Sequence, residues 1–195
     1  MSSIPPGSEP TTALTLPQWR EALWGDRGQR VYAVLMGSRV SDLATRLAAD
    51  EVEDWDLLWP GQLDAAARAA APVVASLRPP AAGRPSPFVD WLLDAAAREF
   101  GGWGALVRSR GGFLPVRRQA RALCQARLPD GASIRVDWMD PEMLDLLLPV
   151  APADQLSQVF TVFDDVWSPG LQRWTRWTGT AGRIAQRHIG VAAAG

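Results

Sequence analysis

Short apolar runs alternate with amphipathic segments along the first half of the chain. The runs have strand length, which is typical of strands covered on both faces, and they are Val31–Met36, Trp55–Trp59, Val73–Leu77 and Trp103–Val107. The segments around them repeat apolar residues at helical spacing, and they are residues 15–24, 40–47, 63–71 and 87–96. This alternation predicts an α/β fold, with a mixed sheet and flanking helices in an N-terminal lobe.

Polar residues at the expected helix starts support this interpretation. Thr15 and Gln18 have the spacing of a capping box, Ser41 is the expected cap of the second helix, and Ser86 precedes Pro87. A serine hydroxyl accepts hydrogen bonds from the first backbone amides of a helix, and proline has no amide hydrogen to satisfy. These residue types therefore mark helix N-termini.

A second unit is expected after Gly111-Gly112. Its predicted elements are a helix, a tight turn, an alternating strand and two helices, at residues 115–125, 128–131, 134–138, 141–148 and 152–160. In the strand, Ile134, Val136 and Trp138 are expected to face inward and Asp137 outward. The pattern predicts a smaller C-terminal lobe of helix–hairpin–helix type.

The expected organisation is one compact two-lobed unit between short terminal segments. Residues 1–14 are rich in proline, serine and threonine, which is typical of a flexible leader. The two lobes are predicted to occupy residues 15–111 and 112–190, followed by a frayed tail at residues 191–195.

Charge and chemistry-bearing residues give few signs of a reaction. The net charge is −1, so no overall field draws the chain onto nucleic acid or anionic lipid. One cysteine (Cys124) and one histidine (His188) cannot form a four-ligand zinc site, and no phosphate-binding glycine motif is present. We therefore expect a protein that is not an enzyme and has no cofactor, metal or small-molecule substrate. Cys124 is expected to be a buried structural thiol.

The compartment is inferred from what the sequence lacks. The start of the chain shows neither a basic region nor an apolar signal-peptide core, and no apolar run is long enough to span a membrane. We expect a cytoplasmic protein without a membrane partner.

Two alternative functions remain open from the residues alone. The acidic pairs Asp54/Asp56 and Asp164/Asp165 would suit a small carboxylate-dependent enzyme if a cleft brought them together. A cluster of arginines would suit a nucleic-acid-binding module, although its helix face has no stacking aromatic; it comprises Arg108, Arg110, Arg117, Arg118, Arg121 and Arg127.

Ten tryptophans are the most unusual feature of the composition. Several fall where the predicted strands and helices would bury them, which bulky aromatics do in cores. Tryptophan and arginine are also enriched at interface hot spots. The C-terminal set therefore has two interpretations, core packing or an exposed partner-binding surface, and it comprises Trp167, Arg173, Trp174, Arg176 and Trp177.

The order of several motifs resembles one known family. The motifs are VYAVLMGSR (Val31–Arg39), SPFVDWLL (Ser86–Leu93), Trp103-Gly104, RLPDG (Arg127–Gly131) and DWMDPEMLDLLLP (Asp137–Pro149). Over residues 30–165 the chain is similar to the Tap/TEC adaptor chaperones of bacterial type VI secretion, long described only as a domain of unknown function.

The resemblance implies a function in protein delivery. Such an adaptor binds a toxic effector in the cytosol, stabilises it and loads it onto the VgrG/PAAR spike, without catalysis or a cofactor. The family often has basic residues just before the aromatic-x-Asp-Pro motif and just after its proline, where this chain has Asp137 and Glu142. We expect these two acids to form a patch that matches a basic surface on this protein's own partner.

Overall fold

A computed structural model of the chain describes residues 13–50, 52, 54–79, 86–171, 173–180 and 182–191. The predicted flexible leader up to residue 12 and the predicted frayed tail from residue 192 lie outside these residues. Ala13 and Leu14, predicted to belong to the leader, form a short strand instead.

The described residues form ten strands and eight α-helices. The strands are β1 (Ala13–Leu14), β2 (Arg30–Leu35), β3 (Trp55–Leu57), β4 (Val73–Leu77), β5 (Gly104–Ser109), β6 (Gln125–Arg127), β7 (Ser133–Arg135), β8 (Asp165–Ser168), β9 (Arg173–Thr180) and β10 (Arg183–Val191). The helices are α1 (Leu16–Trp24), α2 (Leu43–Ala49), α3 (Ala65–Ala70), α4 (Pro87–Asp94), α5 (Ala96–Phe100), α6 (Phe113–Leu123), α7 (Pro141–Leu147) and α8 (Ala153–Val159).

Eight of the strands form one mixed sheet, in the order β1-β10-β9-β8-β5-β2-β4-β3. Neighbouring strands from β10 to β3 are antiparallel, and β1 runs parallel to β10. The predicted α/β class with a mixed sheet is therefore confirmed. β6 and β7 pair only with each other, as a separate hairpin.

The central strand β2 is buried on both faces, as its continuous apolar run predicts. Val31, Ala33 and Leu35 join a core with α1, α2 and α4 on one face of the sheet, which we call face A. Tyr32 and Val34 join a second core with α6, α7 and α8 on the opposite face, face B. Alternating side chains of a strand point to opposite faces, so two helix layers bury the whole run.

The join between β2 and β5 requires a glycine. Gly104 opens β5 opposite Leu35 with φ of 143°, a conformation that side-chain-bearing residues rarely adopt. A Cβ atom added at Gly104 would lie 2.1 Å from the backbone oxygen of Val34. This close approach of the two backbones allows β5 to pair with β2 at the centre of the sheet.

The predicted smaller C-terminal lobe is not confirmed. α6, the β6–β7 hairpin, α7 and α8 follow one another as expected, but α6, α7 and α8 cover face B of the main sheet. Beyond them, β8, β9 and β10 add three strands to the same sheet. The predicted elements include no strand after residue 138, so the sheet extends further than predicted.

Two details of the expected elements are wrong. The strand from Ile134 ends at Arg135, and Ile134 is exposed because the β6–β7 hairpin has no sheet partner to cover it. The second helix begins at Leu43 after Asp42, a residue with positive φ, so Ser41 is not its cap. The capping positions of Thr15, Ser86 and Asp140 are confirmed.

Candidate partner-binding site

The C-terminal tryptophans lie in the core. Trp174 and Trp177 belong to β9 and point to faces A and B, respectively. Each exposes 1% of its surface, as does Trp167 of β8. The expectation that they form an exposed surface is wrong, because helices cover both faces of this part of the sheet, and the core interpretation applies.

Face A contains a cluster of tryptophans beneath α1. The Trp19 ring lies 4.7 Å from the Trp174 ring and 5.9 Å from the Trp167 ring, between centroids. Trp103 lies 5.9 Å from Trp174. These contacts fasten α1 to β8 and β9, so much of the unusual tryptophan content serves packing.

A buried ion-pair network joins three strands beside this cluster. Asp165 accepts hydrogen bonds from Arg108 Nε at 2.9 Å, Arg176 Nη2 at 2.8 Å and the Trp167 indole at 2.6 Å. Arg108 also donates to the backbone oxygen of Ala22 in α1 at 3.0 Å. Because charges and hydrogen-bonding groups are paired throughout, we interpret this network as structural.

Arg173, the other predicted arginine, is exposed and lines an open cleft. The cleft has a volume of about 490 Å³ and lies between α7 and the sheet. Its lining combines charged, hydroxyl and apolar groups from α7, β8, β9 and the turn between these strands, and comprises Asp145, Ser168, Pro169, Gly170, Leu171, Arg173 and Thr175. We call it the α7–β9 cleft.

The floor of the cleft follows from strand register. Ser168 pairs with Thr175, which pairs in turn with His188 of β10, so the three side chains share face B of the sheet. Thr175 Oγ1 lies 3.4 Å from His188 Nδ1. This long contact and the burial of Ser168 give no activated nucleophile in the geometry described.

The electrostatics of the cleft involve one carboxyl and two basic groups. Partial burial raises the pKa of Asp145 above its usual value of 3.8, while the positive charges of Arg173 and His188 act in the opposite direction. Both charge signs therefore face the same opening. Such an arrangement can accept polar groups of either charge from a partner.

Large apolar side chains are exposed in the cleft lining and along α7. Leu171, in its lining, is 64% exposed. Leu146 and Leu147 directly follow Asp145 in α7, and Val150 lies in the 3-10 turn after the helix; all three are exposed. Exposed apolar residues beside an arginine and hydrogen-bonding groups are typical of protein interfaces.

The structure places Asp137 and Glu142 on either side of the α7 N-terminus. Asp140 caps the helix by accepting from the backbone amide of Glu142, and its carboxylate pairs with Arg39 at 2.7 Å. Glu142 is exposed and Asp137 half-buried. The acidic patch they were expected to form stays a prediction.

The residues of the two alternative functions are dispersed. Asp56 on β3 and Asp165 on β8 lie four strands apart in the sheet, and Asp165 is enclosed by its arginines. Of the arginine cluster, Arg108 is buried, while Arg117 pairs with Asp56 at 2.6 Å. The two acidic pairs therefore do not converge, and the arginine cluster includes a buried member and a member paired with Asp56.

In the part of the chain that the structure describes, the side chains form neither a metal site nor a reactive thiol site. No three His, Cys, Asp or Glu side chains there lie close enough together to hold a metal ion. Burial raises the pKa of Cys124 to about 12, with Asp137 adding a smaller effect in the same direction.

Among the residues that the structure describes, no helix is long and apolar enough to cross a bilayer.

The sequence does not predict that Asp145, Leu171 and Thr175 line one cleft, or that His188 lies beside Thr175. The sequence feature that could have indicated these strands is the short connection containing Gly182. In the structure Thr180 pairs with Arg183 across this two-residue connection, and Gly182 has a positive φ, as in a hairpin. Two adjoining segments rich in β-formers flank that connection. Assigning them as strands would have put His188 beside Thr175.

The chain belongs to the family defined by DUF4123, a domain of unknown function, which matches residues 31–158. The matched region includes α7, and it ends before β8, β9 and β10. No curated protein and no solved structure matches the chain.

Proposed function

We propose that the chain is a cytoplasmic adaptor chaperone that binds a type VI secretion effector and loads it onto the VgrG/PAAR spike. The observation that carries the proposal is the DUF4123 match over residues 31–158. Those residues contain all five quoted motifs that resemble the Tap/TEC adaptors, from Val31–Arg39 to Asp137–Pro149.

The geometry of the α7–β9 cleft supports a protein partner. The cleft is open and its lining exposes Leu171, while Leu146 in α7 and Val150 in the turn after it are also exposed to solvent. Covering large exposed apolar side chains with a partner removes apolar surface from water and so contributes favourable binding free energy. Arg173 and Asp145 supply charged groups that fix the partner's orientation.

The family match covers only part of the sheet, and this suggests how the chain recognises a particular effector. α7 lies in the family region, whereas Leu171 and Arg173 lie beyond residue 158, where that match ends. In our proposal the cleft joins a shared helix to strands outside the matched region. These strands are suited to selecting the effector. Asp137 and Glu142 add a second contact, with the effector or the spike.

A secretion experiment tests the proposal. The gene is deleted in its own bacterium, and each effector produced there is followed in the cytosol and in the medium. We expect one effector to disappear from the medium and to be depleted in the cytosol, and the wild-type gene to restore it. Unchanged levels of every effector would contradict the proposal.

A further inference from the structure

β10 has a long backbone edge that pairs with no other described strand. On one side it pairs with β9 from Arg183 to Gly190. On the other side, only Gly190 and Val191 have a partner, the two residues of β1. Within the described residues, positions 183–189 therefore present about 23 Å of strand edge at 3.3 Å per residue.

Such an edge offers directional binding groups. In an antiparallel strand, alternate residues direct their amide and carbonyl groups away from the existing neighbour. An extended segment of another chain can satisfy these groups by adding as a further strand. The edge is also well supported, because Ile189 packs in the face A core and Ile184 packs against the face B core.

The charge of this edge selects the segment that it can accept. After Asp165 the chain contains no acidic residue, whereas it has four arginines and His188. Arg176 pairs with Asp165, a carboxylate that it shares with Arg108. Arg183 and Arg187 are exposed, and no described residue forms an ion pair with either.

The positions of these two arginines define a spacing. Arg183 and Arg187 are four residues apart, so their side chains share one face of the sheet about 13 Å apart along the strand. Side chains directly opposite each other on paired strands have Cβ atoms about 5 Å apart. Carboxylates four residues apart on an added strand would therefore lie opposite both guanidinium groups.

We propose that the free edge of β10 binds an extended acidic segment of the partner protein, which adds as a strand next to residues 183–189. The segment carries carboxylates at positions i and i+4 that pair with Arg183 and Arg187. This inference deepens the proposed function, on which it rests, because it assigns the mode and chemistry of effector binding.

Two other occupants fit the edge less well. A second copy of β10 would bring arginines of one chain against arginines of the other, and like charges across a strand pair are destabilising. The chain's own residues 1–12 contain a single acid, Glu9, and three prolines. Proline cannot donate a ladder hydrogen bond, which disfavours this segment as a strand.

The first test uses the full chain and a nine-residue peptide in which valine alternates with polar residues. Glutamate occupies its third and seventh positions, and a control peptide has lysine there. We expect the glutamate peptide to bind about tenfold more tightly, as two ion pairs would give. Hydrogen exchange should show new protection at alternate amides of residues 183–189.

Charge variants determine whether the arginines select the peptide. In Arg183→Glu/Arg187→Glu the preference should reverse in favour of the lysine peptide. The control is Arg118→Glu/Arg127→Glu, which changes two exposed arginines of α6 and β6 by the same charge. It should keep the wild-type preference.

Several results would overturn the inference. Equal binding of both peptides would show that the arginines only prevent aggregation at the edge. Protection in the free chain of those amides of residues 183–189 that point away from β9 would show that residues 1–12 or a second copy cover the edge, and the mass in solution distinguishes these two.

The inference and the proposed function fail in different ways. If the edge variant loses the glutamate peptide but still restores effector secretion, the edge is not the effector site and the adaptor function stands. If the peptide result holds while no effector depends on the chain, the adaptor function fails and the strand-binding edge remains without a type VI role.

Discussion

The carboxylate of Asp165 and the guanidinium of Arg108 face each other across the pairing of β8 with β5, and both are buried. Their contact joins the C-terminal strands to the centre of the sheet. Through its bond to the Ala22 backbone oxygen, Arg108 also links this pair to α1. The strands that line the α7–β9 cleft therefore depend on an ion pair beneath the opposite face.

Removing one charge of this pair should strongly destabilise the fold. Asp165→Asn leaves Arg108 buried without its counter-ion, and we expect a loss of about 3–5 kcal/mol in the free energy of unfolding. Urea denaturation followed by tryptophan fluorescence measures it.

The neighbouring Asp164 provides the control. It pairs with Arg110 at 3.3 Å, and the Arg110 side chain is largely exposed. Asp164→Asn should therefore cost less than about 1 kcal/mol. Equal losses in the two variants would show that the buried network is not a special source of stability.

Trp174 and Leu171 should separate stability from binding. Trp174→Ala removes a buried ring that contacts Trp19 and Trp103, so we expect a loss of about 3–5 kcal/mol in stability. Leu171→Ala changes an exposed side chain and should alter stability by less than about 0.5 kcal/mol. Thermal unfolding compares the two, and a stable Trp174→Ala variant would refute the core assignment.

Cys124 should be unreactive in the folded protein. Burial raises its pKa to about 12, so on the order of 1 thiol in 10,000 is a thiolate at pH 8. A thiol reagent such as DTNB should label the chain at pH 8 only after urea unfolding. Since this is the only cysteine, rapid labelling of the native protein would contradict its buried position.

The raised pKa of Asp145 predicts a pH-dependent stability. A carboxyl with a raised pKa binds its proton more tightly in the folded state than in the unfolded one. Its contribution is most favourable below the unfolded value of 3.8 and decreases as the pH rises through the folded pKa. Asp145→Asn stays neutral, so it should be more stable than wild type at pH 7 and not at about pH 3.

Thermal unfolding at both pH values measures this difference. Arg173 lowers the pKa of Asp145, so Arg173→Gln should raise it further and enlarge the gap between Asp145 and its asparagine variant. An asparagine variant that is less stable at pH 7 would show that the charged form of Asp145 is favoured in the fold.

The sequence predicts the N-terminal part of the fold well because its signals are local. The apolar runs of β2 and β4 are bounded by residues that end strands, and Ser86-Pro87 starts α4 as expected. Long-range information was needed for the C-terminal part. Trp174 and Trp177 are three residues apart, so a strand places them on opposite faces, but only the helices on both faces determine that both are buried.

The candidate site could not be predicted from spacing in the sequence. Asp145 comes from a helix, whereas Thr175 and His188 come from strands that the sequence analysis does not predict. Their proximity depends on the register of β9 with β10 and on the position of α7 over face B. Arg173 alone was both predicted and found on the surface of the cleft.

The adaptor proposal is tested most directly by the affinity of the purified chain for the effector whose secretion depends on it. Leu146→Ser/Leu171→Ser, the cleft variant, changes exposed apolar residues of α7 and of the cleft lining, and Leu114→Ser/Ile134→Ser changes exposed apolar residues elsewhere. We predict a Kd at least about tenfold higher for the cleft variant and an unchanged Kd for the control. Equal affinities of both variants and wild type would contradict an effector-binding cleft.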